Sequence, residues 1–327
     1  MEYRKLGNTT LKLSAISYGA FAIGGNMWGG NERKDSIEAV KASIDNGITT
    51  IDTAPFYGFG LSEEIIGEAI KGYDRSKIQL LTKFGLVWDG SNKGAGEHFF
   101  DAENNGKAVP VYRYSGKASI IKEAEDSLKR LGTDYIDLLQ QHWPDPTTPI
   151  EESMEAVAQL IKDGKILAAG LSNADVTLLK DAAKVHQPAS NQVSFSMLNR
   201  SAQKDLIPYT LENNIGIIAY SPMERGLLSG KYFSNEKLKA HDHRNGYFSQ
   251  FNLEAVKTFL ENITPIAEAK NVSIAQLVLR WTTLQQGISI VLAGARNAEQ
   301  AVSNAGAMDF EIGNDELAFI NQELEKL

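Results

Sequence analysis

Eight apolar segments of strand length recur along the 327-residue chain, each followed by a helical pattern before the next. The segments are continuously apolar instead of alternating between apolar and polar residues, which is typical of parallel strands buried on both faces. We predict strands over residues 15–18, 48–52, 78–83, 136–142, 166–172, 189–195, 216–221 and 288–292. We predict helices over residues 35–46, 62–70, 117–131, 150–162, 174–185, 202–213 and 298–305.

Alternating strands and helices build either an open doubly wound sheet or a closed (β/α)8 barrel. The count of eight strands and the chain length favour the closed barrel. Residues 3–6 and 11–13 are predicted to pair as a short hairpin that caps the bottom of this barrel. Since no Gly/Ser-rich linker divides the chain, we expect one domain over residues 1–327.

Two connections are much longer than the others. Residues 85–116 carry several aromatic side chains, and residues 222–251 carry several basic side chains. Long connections inside compact domains are usually functional, and barrels of this type place their chemistry at the carboxyl ends of the strands. We therefore expect both connections at the functional face; the alternative is that they are variable surface insertions.

Composition excludes several functional classes. The chain has no cysteine, which excludes a disulfide scaffold, a thiolate metal site and a cysteine nucleophile. Lys and Arg total 33 against 41 Asp and Glu, and the net charge of −8 argues against a nucleic-acid partner. No apolar signal region follows residues 1–5, and the apolar stretch 287–295 is far shorter than the ~20 residues of a membrane span. We expect a cytoplasmic protein without a membrane partner, and the oligomeric state stays open.

Polar residues terminate the predicted strands. Each one alone has an ordinary structural explanation, such as a turn residue, a lysine that reaches solvent or a satisfied histidine. Ionisable and amide groups are costly to bury without partners, and barrel closure would bring them to one rim. Together they predict a functional site; the groups are Asp52, Lys83, Gln141–His142, Ser172–Asn173, Asn191–Gln192, Tyr220–Ser221 and 294–296.

Two other motifs carry less weight. Residues 58–63 contain two glycines of the dinucleotide-binding pattern, but Glu63 occupies the third glycine position, so this is not a Rossmann fingerprint. His241 and His243 flank an aspartate, but no third ligand has suitable spacing among the five histidines of the chain. We therefore predict no metal site.

These segments resemble the aldo-keto reductase superfamily. Residues 51–58 resemble the motif around its catalytic Asp and Tyr, Thr82-Lys83 resembles its lysine site, and residues 141–145 resemble its histidine site. Residues 170–173, 191–192 and 219–222 resemble its nicotinamide-holding segments, while residues 226–231 and 294–304 resemble its phosphate- and adenosine-binding stretches. The resemblance covers about residues 4–304 and is closest to the bacterial and potassium-channel-β-subunit-like branches.

The resemblance implies a (β/α)8 barrel that reduces a carbonyl with NAD(P)H, and four residues match the catalytic motif: Asp52, Tyr57, Lys83 and His142. Tyr57 is the expected proton donor, although a phenol with a pKa near ~10 is a weak acid at neutral pH. The Lys83 ammonium is expected to lower that pKa, and Asp52 to pair with Lys83. His142 is expected to hydrogen-bond the carbonyl oxygen.

The expected cofactor is NADPH, with NADH less favoured, because Arg296 suits the 2′-phosphate as a bidentate donor. Ser172, Asn173 and Gln192 are expected to bind the carboxamide, and Tyr220 to stack on the nicotinamide. Pro222 belongs to the nicotinamide-holding segment. Backbone N–H groups and a cation are expected to bind the pyrophosphate, and the remaining candidate cofactor residues are Ser221, Gly226, Leu228, Gly230 and Lys231 for the pyrophosphate, with Arg244, Gly294, Gln300 and Asn304 towards the adenosine. The candidate substrate pocket comprises Trp28, Phe56, Trp88 and aromatic residues of 85–116.

Two functions of different classes fit these residues. The first is an NADPH-dependent aldehyde or ketone reductase with a small-molecule substrate. The second is a nicotinamide-binding sensor or regulatory subunit with low turnover, since the channel β-subunits show that the fold can serve in this way. The identity of the substrate is not predicted.

Overall fold

The computed structural model describes residues 1–25, 30–104, 106–233 and 244–327, without the side chain of Asn245. The strands are β1 (Tyr3–Lys5), β2 (Lys12–Ser14), β3 (Ile16–Gly19), β4 (Thr50–Asp52), β5 (Gln79–Phe84), β6 (Leu86–Val87), β7 (Glu97–Asn104), β8 (Lys107–Arg113), β9 (Ile136–Gln141), β10 (Ile166–Ser172), β11 (Ser190–Ser194), β12 (Gly216–Tyr220) and β13 (Ile288–Ala293). The helices are α1 (Arg33–Asp45), α2 (Leu61–Ala69), α3 (Lys117–Leu131), α4 (Ile150–Lys162), α5 (Val176–Ala183), α6 (Leu206–Glu212), α7 (Arg244–Phe248), α8 (Leu253–Ala269), α9 (Ile274–Thr283), α10 (Ala298–Ala305) and α11 (Asn314–Leu324).

Eight parallel strands close into a barrel in the order β3-β4-β5-β9-β10-β11-β12-β13. Each of the eight corresponds to a predicted strand, and helices lie between them, so the (β/α)8 prediction is confirmed. Closure places the carboxyl ends of all eight strands at one rim. Helices α7, α8, α9 and α11 were not predicted, although Ser273 and Gln276 at the start of α9 form a capping box that is visible in the sequence.

The N-terminal hairpin closes the bottom of the barrel, as expected. Strands β1 and β2 pair antiparallel, and the fully buried side chains of Leu6 and Leu13 pack against lumen residues such as Leu81 and Leu138. Arg4 donates hydrogen bonds to the carbonyl oxygens of Thr283 (2.8 Å) and Ile288 (3.2 Å) beside β13. The lower lumen is therefore apolar and filled, which leaves the upper rim for chemistry.

The connection 85–116 is not an irregular loop. It folds into a separate antiparallel sheet in the order β6-β8-β7. Its aromatic residues Phe99 and Phe100 cluster with Phe56, Tyr57 and Trp143 beside the upper rim. The connection therefore lies beside the upper rim, as expected, but its three strands were not predicted.

A buried ion pair anchors β5 behind the rim. The fully buried Glu63 on α2 accepts a hydrogen bond from Thr82 Oγ1 (2.6 Å) and pairs with Arg130 Nε on α3 (2.6 Å). Thr82 directly precedes Lys83, so this pair ties the lysine-bearing strand to two outer helices.

Replacing Arg130 by alanine is expected to lower the free energy of unfolding by about 3 kcal/mol or more, because Glu63 would keep a buried charge without its partner. Chemical denaturation measures the change. Arg33→Ala is the matched control, since the Arg33–Glu68 pair is 46% exposed on both sides and should contribute about 0–1 kcal/mol. Equal losses in the two variants would contradict the role of burial.

Candidate active site

Four side chains predicted as catalytic meet inside the upper rim. Asp52 ends β4, Lys83 lies in β5, His142 follows β9, and Tyr57 lies in the turn between β4 and α2. Asp52 is 2% exposed, Lys83 1% and His142 9%, so the charged groups have little water around them. Since electrostatic interactions strengthen where water is excluded, their mutual arrangement decides what they can do.

The ammonium of Lys83 joins this group together. Its Nζ donates to Asp52 Oδ1 (2.7 Å), to the Thr53 carbonyl oxygen (2.7 Å) and to Tyr57 OH (3.3 Å). Three donor positions therefore meet three acceptors, which is the full capacity of an ammonium. The shorter contacts fix Lys83 to β4, and the longer contact leaves it directed at the Tyr57 hydroxyl.

Burial and charge set the protonation of these groups. Burial alone would lower the pKa of Lys83, but Asp52 and Tyr57 together raise it above its ordinary value, so the ammonium is charged. Burial raises the pKa of Tyr57 and outweighs the Lys83 charge, which acts in the expected, lowering direction. Lys83 therefore acts in the expected direction, but burial leaves the pKa of Tyr57 above its ordinary value, and the phenol carries its proton at neutral pH. Burial, and then the Lys83 charge, hold the pKa of His142 well below its ordinary value, so its imidazole is neutral.

A tight turn positions Tyr57. Gly58 has a φ of +65°, and a Cβ there would lie 2.1 Å from the carbonyl oxygen of Gly24. Only glycine permits this approach of the turn to the segment after β3. The Tyr57 ring then lies 4.8 Å from the Phe21 ring and 5.6 Å from the His142 ring, centroid to centroid. The hydroxyl of Tyr57 and the imidazole of His142 consequently share one small region above Lys83.

Aromatic side chains line one side of this region. The Phe56 ring makes edge contacts with Trp88 (6.0 Å) and with Phe100 on β7 (5.5 Å). The Phe99 ring contacts Trp143, the neighbour of His142, at 5.4 Å. Phe56 and Trp88 were expected here, whereas Trp28 lies outside the described residues.

Three predicted nicotinamide-binding residues form one hydrogen-bonded group. Tyr220 OH donates to Asn173 Oδ1 (2.9 Å), and Asn173 Nδ2 donates to Ser172 Oγ (3.1 Å) and to the His142 carbonyl oxygen (3.3 Å). Gln192, the fourth predicted residue on this side, donates from its Nε2 to Asp52 Oδ2 at 2.7 Å. A carboxylate can only accept hydrogen bonds, so Gln192 directs its NH2 group at Asp52. Only Oε1 of its side chain is then left for a ligand.

The segment after β12 has an unusual backbone. Ser221, Glu224, Arg225 and Gly226 all have positive φ values, between +45° and +96°. The buried Glu224 carboxylate accepts hydrogen bonds from the hydroxyls of Ser196 and Tyr247, which anchors the segment to the turn after β11 and to α7. Such a conformation is costly and persists only when its surroundings hold it.

The predicted pyrophosphate residues lie on this segment but present fewer donors than expected. The N–H groups of Gly226 and Leu228 donate to the Met223 carbonyl oxygen, and that of Gly230 donates to Leu227. The side chain of Leu228 is buried in the core, as is Pro222, whereas Lys231 is exposed. Arg244 begins α7 and is half-buried. These three backbone N–H groups are therefore engaged within the segment.

The predicted adenosine side lies between β13 and α10. Asn304 Nδ2 donates to the Gly294 carbonyl oxygen (3.0 Å), and the Arg296 backbone N–H donates to Gln300 Oε1 (2.9 Å). Among the described residues, the Arg296 guanidinium has no hydrogen-bond or ion-pair partner, and it lies just before the N-terminus of α10. A helix N-terminus and a guanidinium both favour an anion.

The hydrogen-bond donors of this rim fit NADPH. Hydroxyl and amide groups lie next to Lys83 and Tyr57, and cationic side chains lie farther along the rim. In the part of the chain that the structure describes, no three His, Cys, Asp or Glu side chains form a group suited to a metal. No helix in that part is long and apolar enough to cross a membrane.

Sequence reasoning missed Gln140, Thr53 and Glu224. Gln140 donates to Asp52 Oδ2 (3.3 Å), and the Thr53 carbonyl oxygen holds Lys83. The sequence carried a signal for Gln140, because strand residues alternate between faces and one of two adjacent glutamines must enter the lumen. A backbone carbonyl such as that of Thr53 has no sequence signal.

Two curated relatives are similar to this chain over nearly its whole length. Aldo-keto reductase YhdN of Bacillus subtilis is 37% identical over 330 residues, which cover 99% of this chain and 94% of that protein. The NADH-specific methylglyoxal reductase of Escherichia coli is 32% identical over 98% of this chain and 98% of its own length.

Solved structures share the fold over nearly the whole chain. The glycerol dehydrogenase AKR11B4 from Gluconobacter oxydans has a TM-score of 0.86 and 34% identity, over 99% of this chain and 95% of that one. An aldo/keto reductase from Klebsiella pneumoniae, solved with NADP and acetate, has a TM-score of 0.73 and 27% identity over 98% and 95%. The model of the aldo/keto reductase family matches residues 15–325. The chain belongs to the aldo/keto reductase family, a family of NAD(P)H-dependent carbonyl reductases.

Proposed function

We propose that this protein reduces an aldehyde or ketone to an alcohol with NADPH, and that Tyr57 supplies the proton. The observation that carries the proposal is the placement of a buried, charged Lys83 between Asp52 and the Tyr57 hydroxyl. Carbonyl reduction needs a hydride on carbon and a proton on oxygen. When bound, the nicotinamide supplies the hydride.

The chain's own residues would handle the proton. Tyr57 donates its hydroxyl proton to the oxygen of the substrate, where negative charge develops. The Lys83 ammonium, 3.3 Å from that hydroxyl, stabilises the phenolate that remains. Asp52 and the Thr53 carbonyl oxygen keep the ammonium in place without competing for the substrate.

His142 would orient the substrate. Its imidazole is neutral and has no hydrogen-bond partner among the described residues, so a ring N–H is available to the carbonyl oxygen. Phe56 and Trp88 would line the pocket beside it. A small carbonyl compound with an apolar substituent would fit against these two aromatic side chains.

Cofactor residues follow from the same geometry. Ser172, Asn173 and Oε1 of Gln192 would bind the carboxamide, and Tyr220 would stack on the ring. Along the rest of the rim, the groups that would hold the dinucleotide are Ser221, Lys231, Arg244, Gly294, Arg296, Gln300 and Asn304. The relative named as NADH-specific makes the choice between the two cofactors a point to test on this chain.

Arg296→Ala is expected to raise the KM for NADPH roughly tenfold to a hundredfold, because a hydrogen bond to a charged group contributes about 1.5–3 kcal/mol. The KM for NADH should change little, since NADH lacks the 2′-phosphate, and this makes NADH the internal control. Steady-state kinetics with both cofactors measure the two values. Equal changes for NADPH and NADH would contradict the assignment of Arg296.

A panel of aldehydes and ketones tests the proposed reaction, with NADPH oxidation followed by absorbance. We expect turnover with at least one reactive aldehyde and formation of the matching alcohol. Tight NADPH binding without turnover on the whole panel would instead favour the sensor or regulatory role. The cytoplasmic location expected from the sequence stays a prediction.

A further inference from the structure

Gln140 lies in the middle of the barrel lumen, below the proposed reaction centre. Its side chain is fully buried, and the strand register pairs it with Lys83 on one side and Gly170 on the other. A Cβ on Gly170 would lie 3.3 Å from Gln140 Cγ and 2.4 Å from Ser190 Oγ. The glycine on β10 therefore leaves room for the Gln140 side chain to reach across the lumen.

The amide of Gln140 contacts two groups that face the site from other strands. Its Nε2 donates to Asp52 Oδ2 on β4 (3.3 Å), and its Oε1 accepts from Gln192 Nε2 on β11 (3.4 Å). Gln192 Nε2 also donates to the same Asp52 oxygen at 2.7 Å. Because a carboxylate can only accept hydrogen bonds, Gln140 and Gln192 must both direct their NH2 groups at Asp52, and this fixes the orientation of the two side-chain amides.

We propose that Gln140 is a positioning residue that holds Asp52 and Gln192 in register, and thereby couples the nicotinamide side of the barrel to the Lys83–Tyr57 proton path. The inference rests on the proposed carbonyl reduction. Two amide donors on Oδ2 keep the Asp52 carboxylate turned so that Oδ1 faces Lys83. The same contact keeps Gln192 Oε1 as the group that Gln192 offers to a carboxamide.

The geometry makes the reaction sensitive to this contact. The Lys83 Nζ to Tyr57 OH distance is 3.3 Å, which is longer than the 2.7 Å from Nζ to Asp52. A small rotation of the carboxylate would carry the ammonium with it and lengthen the weaker contact. A misplacement of about 1 Å in a positioned group can lower turnover by about a hundredfold.

Gln159 on α4 provides a control outside the site. Its Nε2 also donates to a carboxylate, Asp163 Oδ1, at 2.8 Å. Gln140→Met is expected to lower kcat by about tenfold to a hundredfold. Gln159→Met should leave kcat close to wild type, and NADPH binding, followed by tryptophan fluorescence, should be similar in all three proteins. Equal kcat values for the two variants would overturn the proposal.

A second variant separates positioning from packing. Gln140→Glu keeps the shape, and its carboxyl donates to Asp52 only when it is protonated. The ratio of its kcat to the wild-type kcat should therefore be highest at low pH and fall as pH rises and the carboxyl ionises. Asp52, Lys83, Tyr57 and His142, the other titratable groups facing this point, are present in both proteins. A ratio that does not change with pH would overturn the proposal, and this test remains if Gln140→Met does not fold.

A third measurement needs no substrate. The unfolding free energies of Gln140→Met, Asp52→Asn and the double variant should be non-additive, because the two side chains touch, whereas the same cycle with Gln159→Met should be additive. Additivity in the Gln140 cycle would overturn the positioning contact. If the wild type reduces no carbonyl, the proposed function fails, while this cycle still decides whether Gln140 holds Asp52.

Discussion

Tyr57→Phe is expected to lower kcat by about three orders of magnitude, within the range of roughly 10²–10⁴ that a positioned general acid contributes. The change removes only the hydroxyl that Lys83 Nζ approaches at 3.3 Å, and the ring keeps its contact with Phe21 at 4.8 Å. NADPH binding should persist, since no proposed cofactor contact is lost. Steady-state turnover with an accepted aldehyde, together with fluorescence titration of NADPH, measures both quantities.

The control for this variant is Tyr73→Phe, which removes a surface hydroxyl that donates to Asp45 Oδ1 at 2.9 Å. It should turn over like the wild type. A Tyr57→Phe enzyme that keeps wild-type kcat would show that the proton comes from another group, with His142 as the nearest candidate.

Lys83→Met is expected to damage both catalysis and stability. Turnover should fall about as far as in Tyr57→Phe, because the phenolate loses its cation. The free energy of unfolding should drop by about 3–5 kcal/mol, because Asp52, 2% exposed, would keep a buried charge whose ammonium partner has gone. Chemical denaturation and turnover assays report the two effects separately.

The double variant Lys83→Met/Asp52→Asn distinguishes the two effects. Neutralising residue 52 removes the unpaired charge, so most of the lost stability should return while activity stays low. A double variant as unstable as Lys83→Met alone would contradict the role of the Lys83–Asp52 pair in the fold.

Barrel closure explains why the convergence of the proposed catalytic residues could be predicted. Asp52, Lys83 and His142 each end or follow a predicted strand, and once eight strands close, these positions must converge. Tyr57 was identified from a motif, and its placement depends on the contact of Gly58 with Gly24, which connects segments far apart in sequence.

Side-chain directions within the lumen were not predictable in the same way. Gln192 was predicted to bind the carboxamide, but the contact of its NH2 group with Asp52 had no signal in the sequence. Period-two alternation shows that only one of Gln140 and Gln141 enters the lumen, and only the register beside Lys83 identifies which one. Leu228 was predicted in the pyrophosphate segment, and the burial of its side chain in the core was not predicted.

Transfer of deuterium from NADPH labelled at the reactive carbon of the nicotinamide tests the central claim most directly. The purified protein is incubated with labelled NADPH and an accepted aldehyde, and the alcohol is analysed by mass spectrometry. Hydride transfer predicts one deuterium on the carbon that was the carbonyl, with wild-type protein and far more slowly with Tyr57→Phe. Alcohol without deuterium, or oxidation of NADPH without alcohol, would contradict the account.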